Sequence, residues 1–189
     1  MVIDREEDEE DVRLVHRVLT GDLAAFESLV RRHQKGVYYF CLASLKHPEE
    51  AEDAAQEVFL RAFRSLKTFS LDKRFKTWLY AIAVNHLKTR WKKQNKGLLD
   101  RIKEFFQETS DTEEKDPETV ALASLEEERI REAVRELPEA LRIAVMLYYF
   151  EGLPVSEIAT VLGVGEEGVK TRLFRARKLL RKALEGEGR

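Results

Sequence analysis

Positive charge, an amide and aromatic rings occur together over residues 69–88, a combination that suits a nucleic-acid strand. At about 100° per residue, the stripe facing away from the apolar side contains Arg74, Thr77, Ala81, Asn85 and Lys88. Its cations suit phosphates, the amide of Asn85 suits a base edge, and its small residues leave room for a strand. The rings of Phe69 and Trp78 could stack unpaired bases, as in proteins that hold single strands. For Trp78 taken alone, packing in the core is the favoured interpretation.

A second basic stretch, residues 166–184, is typical of a helix that enters duplex DNA. Its apolar stripe consists of Val169, Leu173, Ala176 and Leu180. Phe174 lies roughly 130° away from that stripe, where it could contact a thymine methyl group while Lys170 and Arg175 reach base-edge acceptors. The other cations of this face would hold phosphates. The candidate duplex-binding side chains are Lys170, Thr171, Arg172, Phe174, Arg175, Arg177 and Lys178.

Catalytic chemistry is not indicated. The acidic residues cluster in the termini and at helix starts, and no nucleophile stands beside a base, so the chain is not expected to be an enzyme. The histidines show no metal-ligand spacing, and neither a metal nor a cofactor is expected. The single cysteine, Cys41, falls on an apolar helix side and fits a buried thiol in a reducing cytoplasm. No apolar run approaches about 18 residues, so no membrane insertion is expected.

The elements that would position these side chains are helices. With four prolines, nine glycines and no alternating apolar pattern in 189 residues, the sequence predicts an all-α fold. The net charge is only −2, but acidic and basic runs alternate along the chain, and local patches decide where phosphates bind. We predict an acidic disordered N-terminus over 1–10, a helical domain over 11–96, an extended linker over 97–123 and a second small helical domain over 124–185.

The helix that begins at Pro48 has a second candidate face. Acids follow the proline, as expected at a helix N-terminus. Opposite its apolar side lie Asp53, Gln56, Glu57 and Leu60. From the residues alone, this face is either a solvent-exposed surface or a site for a partner protein.

At this point the residues resemble a family. The stretch AEDAAQEVFLRAFRSLKTF followed by RFKTWLYAIAVN resembles conserved region 2 of extracytoplasmic-function sigma factors. In the C-terminal part, LPEALRIAVMLYYFEGLPVSEIATVLGV and VKTRLFRARKLL resemble region 4, with a short helix, a glycine turn and a longer basic helix forming a helix-turn-helix.

The resemblance implies functions for each surface. The face with Asp53, Gln56, Glu57 and Leu60 would dock on the β′ clamp helices of core RNA polymerase. The stripe of Arg74 to Lys88 would read the melted −10 promoter element, with Lys73 in the loop that holds a flipped base. The C-terminal helix would read the −35 element, and the same domain would contact the β flap. An anti-sigma factor is the remaining expected partner.

One alternative stays open from the sequence. The chain could be an ordinary helix-turn-helix regulator whose N-terminal helical domain senses a ligand or forms a dimer. The basic, strand-binding stripe argues against this alternative, since a sensor has no need of it.

Overall fold

The structure, a computed structural model, describes residues 5–94 and 124–186, and the side chains of residues 7–88 and 129–185. Within these ranges every regular element is helical, which confirms the predicted all-α class. The predicted linker over 97–123 lies outside the described residues.

Residues 5–94, the described part of the N-terminal module, form four helices. They are α1 (Arg5–Leu19), α2 (Ala24–Leu45), α3 (Pro48–Ser65) and α4 (Phe75–Gln94), with a short 3₁₀ turn (Leu66–Thr68) after α3. Pro48 lies in the first turn of α3, as predicted. Glu49 and Glu50 lie in the same turn, where negative charge is favourable near the free N–H groups of the helix. Cys41 is fully buried, also as predicted.

The prediction of a disordered acidic N-terminus is wrong for the described residues, because α1 begins at Arg5. Like charges in this segment repel one another, but the structure gives several of them cationic partners. Asp11 is 2% exposed, with its carboxylate 2.8 Å from Arg32 Nε and 2.7 Å from His33 Nε2. Asp8 Oδ2 lies 2.7 Å from Arg74 Nε. These pairs attach α1 to α2 and to the start of α4, and offset the repulsion.

Residues 124–186, the described part of the C-terminal module, also form four helices. They are α5 (Ser124–Glu136), α6 (Glu139–Val145, continued by a π turn over Met146–Phe150), α7 (Val155–Leu162) and α8 (Glu166–Gly186). Gly163 ends α7 in the left-handed conformation, with φ of 69°, and starts the turn into α8. The helix-turn-helix predicted from the sequence is therefore present. Arg142 is buried and donates to the backbone carbonyls of Arg135 and Leu137 at the end of α5, at 2.7 and 3.0 Å.

The two modules pack directly against each other. Helix α4 contacts α7, and α2 contacts α6 and α5, so the buried residues of both modules form one cluster. The buried side of α4 is wide, since Tyr80, Val84 and Leu87 lie inside together with Phe75 and Leu79. Periodicity indicates one buried stripe on a helix, whereas α4 packs against helices of two modules.

Candidate nucleic-acid and polymerase interfaces

The predicted strand-binding stripe on α4 faces the C-terminal module. Thr77 donates a hydrogen bond through its hydroxyl to the carboxylate of Glu157 on α7. Arg74 Nη1 lies 3.5 Å from the same carboxylate. Farther along α4, Lys88 Nζ donates to the backbone carbonyl of Leu162 at 3.3 Å. Three of the predicted strand contacts are therefore made with the chain itself in this arrangement.

The guanidinium of Arg74 is held between two carboxylates, those of Asp8 and Glu157. Partial burial by itself would lower the pKa of Arg74, but the hydrogen bond to Asp8 and the charge of Glu157 raise the pKa overall. Arg74 thus stays charged and is neutralised by carboxylates on α1 and α7.

The other predicted strand-binding residues differ in their exposure to solvent. Lys73 and Asn85 are exposed, and Ala81 and Trp78 are half-buried. Phe69 is only 6% exposed, with its ring 5.4 Å from the ring of Trp78, so the structure corrects the prediction of an open stacking surface at Phe69. Its ring packs in the core because the chain turns inward between α3 and α4.

A buried polar contact that the sequence did not indicate lies between the modules. Glu151, at the end of the π turn, is 9% exposed, and its carboxylate accepts a hydrogen bond from the hydroxyl of Tyr80. Lys76 Nζ lies 3.5 Å from the same carboxylate. Burial, reinforced by the negative charge of Glu151, raises the pKa of Tyr80 well above its ordinary value, so the phenol remains a donor.

Gly36 in the middle of α2 makes this contact possible. A Cβ atom at position 36 would lie 2.8 Å from the Tyr80 hydroxyl and 3.1 Å from both carboxylate oxygens of Glu151. A glycine inside a helix costs about 1 kcal/mol relative to alanine, so its presence in α2 could have suggested that another group packs there. Next to it a cavity of about 620 Å³ opens between the modules, lined by α2 and α4 on one side and by α5 and the π turn on the other.

The predicted polymerase face of α3 is open. Asp53 and Gln56 are exposed, and Leu60 is 50% exposed. Glu57 is half-buried and accepts a hydrogen bond from Arg61 Nε at 2.6 Å, which lowers the pKa of its carboxyl group. The four predicted residues therefore share one accessible face of α3.

This face borders an apolar groove between α2 and α3 that the sequence did not reveal. The groove has a volume of about 1000 Å³, and both Gln56 and Leu60 line it. Leu23 and Phe63, 64% and 42% exposed, add apolar surface at the same place. Exposed apolar side chains grouped in this way are typical of a protein-binding surface.

The outer face of α8 is directed toward solvent, as predicted. Val169, Leu173 and Ala176 are buried, while Phe174 is 39% exposed. Lys170 and Thr171 are exposed beside it, and Lys170 Nζ pairs with Glu167 at 2.6 Å within the helix.

Three arginines of α8 are less exposed than its lysines. Arg172, Arg175 and Arg177 are half-buried, whereas Lys178 is exposed. Burial lowers the pKa of Arg172, and Arg177 Nη1 lies 3.5 Å from the Tyr149 hydroxyl. Cations around an outward phenylalanine on the second helix of a helix-turn-helix can bind phosphates and base edges in a major groove.

Within the described ranges, no group of three or more His, Cys, Asp or Glu side chains is placed to hold a metal ion. None of the helices that the structure describes is long and apolar enough to cross a membrane.

Comparison with known proteins matches both modules to one family. Residues 29–97 match the model of sigma-70 region 2, and residues 127–180 match that of sigma-70 region 4. The RNA polymerase sigma-H factor of Pseudomonas aeruginosa is 38% identical, covering 94% of this chain and 95% of that protein. The ECF RNA polymerase sigma factor SigW of Bacillus subtilis is 32% identical, covering 90% and 94%.

A solved structure has the same fold. The sigma factor RpoE in complex with the anti-sigma factor NepR from Bartonella quintana aligns with a TM-score of 0.64 and 19% identity. The alignment covers 85% of this chain and 96% of that chain.

Proposed function

This chain belongs to the extracytoplasmic-function group of RNA polymerase sigma factors, and we propose that it directs core RNA polymerase to promoters by binding the −35 duplex and the melted −10 strand. One observation carries this proposal. The region 2 and region 4 matches coincide with the two helical modules, so one chain contains both DNA-binding parts of a sigma factor.

The −35 element is assigned to α8. The exposed ring of Phe174 and the neighbouring Lys170 and Arg175 form the base-reading part of this surface. Arg177 and Lys178 hold phosphates and set the register on the duplex. Arg172 also holds a phosphate at the edge of the groove.

The melted −10 strand is assigned to the basic face of α4. Arg74, Thr77 and Lys88 supply donors for phosphates, and Asn85 supplies an amide for a base edge. Lys73 stands at the loop that holds a flipped base. Trp78, rather than Phe69, is the ring with partial exposure beside this face.

Core polymerase is assigned to the open face of α3. Leu60 and Gln56 border the apolar groove beside α2, and such a groove suits the β′ clamp helices. The C-terminal module contacts the β flap. An anti-sigma factor completes the set of partners, supported by the NepR complex of the RpoE relative.

The chain acts without catalytic chemistry of its own, in the cytoplasm where polymerase and promoters meet. Polymerase supplies the reaction, and this chain supplies specificity. Nothing in the described structure favours the helix-turn-helix regulator that the sequence left open.

The test of this function uses the full chain with purified core RNA polymerase. A library of duplexes with randomised upstream sequence is transcribed, and the transcribed templates are sequenced. We expect transcripts only when the chain is present, from templates that share two sequence elements. Transcription that is independent of the chain, or templates without shared elements, would overturn the proposal.

The polymerase face has its own test. Asp53→Ala combined with Gln56→Ala should weaken assembly with core polymerase by about tenfold, as expected for truncation of central interface residues. Glu132→Ala is the control, since it removes the same single charge from an exposed site on α5. Assembly is measured by gel filtration over a range of concentrations. Equal assembly of all three proteins would contradict the assignment of this face.

A further inference from the structure

We propose that Glu167 and Lys170 read one base pair of the −35 element together, and that this base pair is C·G, with cytosine against Glu167 and guanine against Lys170. This inference rests on the proposed function and extends it, since it names a base pair that α8 selects. It also gives Glu167 a role in specificity, although a carboxylate beside DNA phosphates would by itself weaken binding.

Glu167 lies on the base-reading side of α8. At about 100° per residue, it falls within about 20° of Phe174 around the helix axis. Its side chain is 86% exposed and that of Lys170 is 57% exposed, so both can reach a ligand. In a helix-turn-helix, the N-terminal residues of the second helix are the ones that contact base edges. Glu167 is therefore placed to enter the major groove at the beginning of the face that carries Phe174.

The carboxylate of Glu167 is joined to the ammonium group of Lys170, with Oε1 2.6 Å from Nζ. This hydrogen bond, together with the charge of Glu167, raises the pKa of Lys170 above its ordinary value, so the ammonium group stays protonated. The positive charge of Lys170 offsets the repulsion between the carboxylate and the phosphates. Since an ammonium group has three hydrogens and a carboxylate two oxygens, Nζ and Oε2 keep hydrogen-bonding capacity for a base pair.

This ion pair matches the major-groove edge of a C·G base pair. Cytosine offers the N4 amino group as a donor, and guanine offers O6 and N7 as acceptors. N4 and O6 are bonded to each other within the base pair at about 2.9 Å, close to the 2.6 Å between Oε1 and Nζ. A carboxylate that accepts from N4 therefore leaves the ammonium group facing O6 and N7.

The other base pairs fit less well. In an A·T pair the donor N6 and the acceptor N7 lie on the same base, so the carboxylate would meet the lone pair of N7. The ammonium group would face only O4 and the methyl group of thymine. Reversing either base pair places an acceptor, guanine O6 or thymine O4, against the carboxylate. Because α8 has one direction in the groove, the order of the two side chains is fixed, and the C·G orientation is selected.

The decisive variant is Glu167→Gln, with Glu166→Gln as its matched control. Glu166 is exposed in the same first turn of α8, but it lies about 80° from Phe174 around the axis. Its effect on Lys170 is Coulombic only. Each substitution removes one negative charge from the same end of the helix. General electrostatics would therefore tighten binding to all duplexes equally in the two proteins.

Base preference is measured by selection of short duplexes of randomised sequence that bind the full-length free chain, followed by sequencing. We expect the wild type and Glu166→Gln to prefer C·G at one position of the shared element by about tenfold. Glutamine pairs with N6 and N7 of adenine. Glu167→Gln should therefore transfer the preference at that position to A·T, with adenine on the strand that carried cytosine.

A second comparison tests whether the two side chains act as a unit. Glu167→Ala, Lys170→Ala and the double variant are titrated with the selected duplex and with its single-base variants at the C·G position, by fluorescence anisotropy. Residues that share one base pair are coupled, so the double variant should lose no more discrimination than Lys170→Ala alone. Residues that read separate base pairs would show losses that multiply.

The outcomes are separable. A wild-type chain that selects no C·G pair, or a Glu167→Gln chain that binds all duplexes more tightly with the preference of the wild type retained, would overturn the proposal, since Glu167 would then act only through its charge. Losses that multiply in the double variant would overturn the shared base pair. Failure of the proposed function would appear elsewhere, as absence of chain-dependent transcription with core polymerase, and would leave the base preference of the free chain measurable.

Discussion

The basic faces of α4 and α8 have similar chemistry but opposite surroundings. Both combine cations with an aromatic ring at helical spacing. On α8 the ring of Phe174 and its neighbouring lysines are directed toward solvent. On α4 the cation Arg74 and the hydroxyl of Thr77 are paired with Glu157 of the other module.

This difference assigns the two faces different positions in the proposed mechanism. In the described arrangement the face proposed to bind the duplex is accessible to solvent, whereas donors of the face proposed to bind the strand are paired with α7. Substitutions on the two faces should therefore have different effects in the free chain.

The largest expected effect is that of a substitution on the solvent-accessible face of α8. Arg175→Ala should weaken binding to the −35 duplex by about 1–3 kcal/mol, concentrated at one or two base pairs, because a base-edge contact is lost. The loss should be the same for the free chain and for the holoenzyme, as this face is open in both. Binding is measured by competition among single-base variants of the selected promoter.

Lys178→Ala serves as the comparison for Arg175→Ala. Loss of a phosphate contact should weaken binding to all duplexes alike and reduce its salt dependence. If Arg175→Ala behaved in the same way, Arg175 would contact only phosphate, and the base-reading role would pass to other residues of α8.

The second-largest expected effect is that of a substitution on the face of α4 that packs against α7. Asn85→Ala should slow promoter opening by the holoenzyme by about tenfold, the effect of one hydrogen bond of ~1.4 kcal/mol. In the free chain the same change should leave binding of single-stranded DNA unaltered, because the surrounding donors are already occupied. Permanganate footprinting follows opening, and anisotropy follows the free chain. An equal loss in both would break the contrast between α4 and α8.

Much of the fold could be predicted from the sequence. The helix start at Pro48, the glycine that ends α7 and the outward position of Phe174 all follow from local rules of capping and periodicity. Local rules did not predict helix α1 at the N-terminus, because its acidic residues pair with cations on other helices, as Asp11 does with Arg32. A charge run can be judged only with its tertiary partners.

The site was predictable in part for the same reason. Periodicity indicates which side of α4 is polar, but not that Glu157, 80 residues away from Thr77, covers that side. The close packing at Gly36 could have been suspected from a lone glycine in a helix, yet the carboxylate that approaches it, that of Glu151, could not. From the sequence, the ring of Phe69 could belong either to the core or to a binding surface, as is common for aromatic residues. The structure places it in the core.

The smallest expected effect distinguishes the buried contacts between the two modules from the exposed ones. Lys46 on α2 and Glu136 on α5 form another ion pair between the modules, at 2.8 Å, but both side chains are largely exposed. Water and salt screen such a pair, and ordering two long side chains costs entropy. Lys46→Met should therefore change the fraction of chains whose modules have separated by no more than about threefold. This is well below the change expected for Gly36→Ala, whose added methyl group would collide with the Tyr80 hydroxyl and the Glu151 carboxylate. Scattering of the two variants under identical salt measures the ratio. A Lys46→Met chain that opened as fully as Gly36→Ala would mean that surface charge, rather than the buried carboxylate and the α7 contacts, holds the modules together.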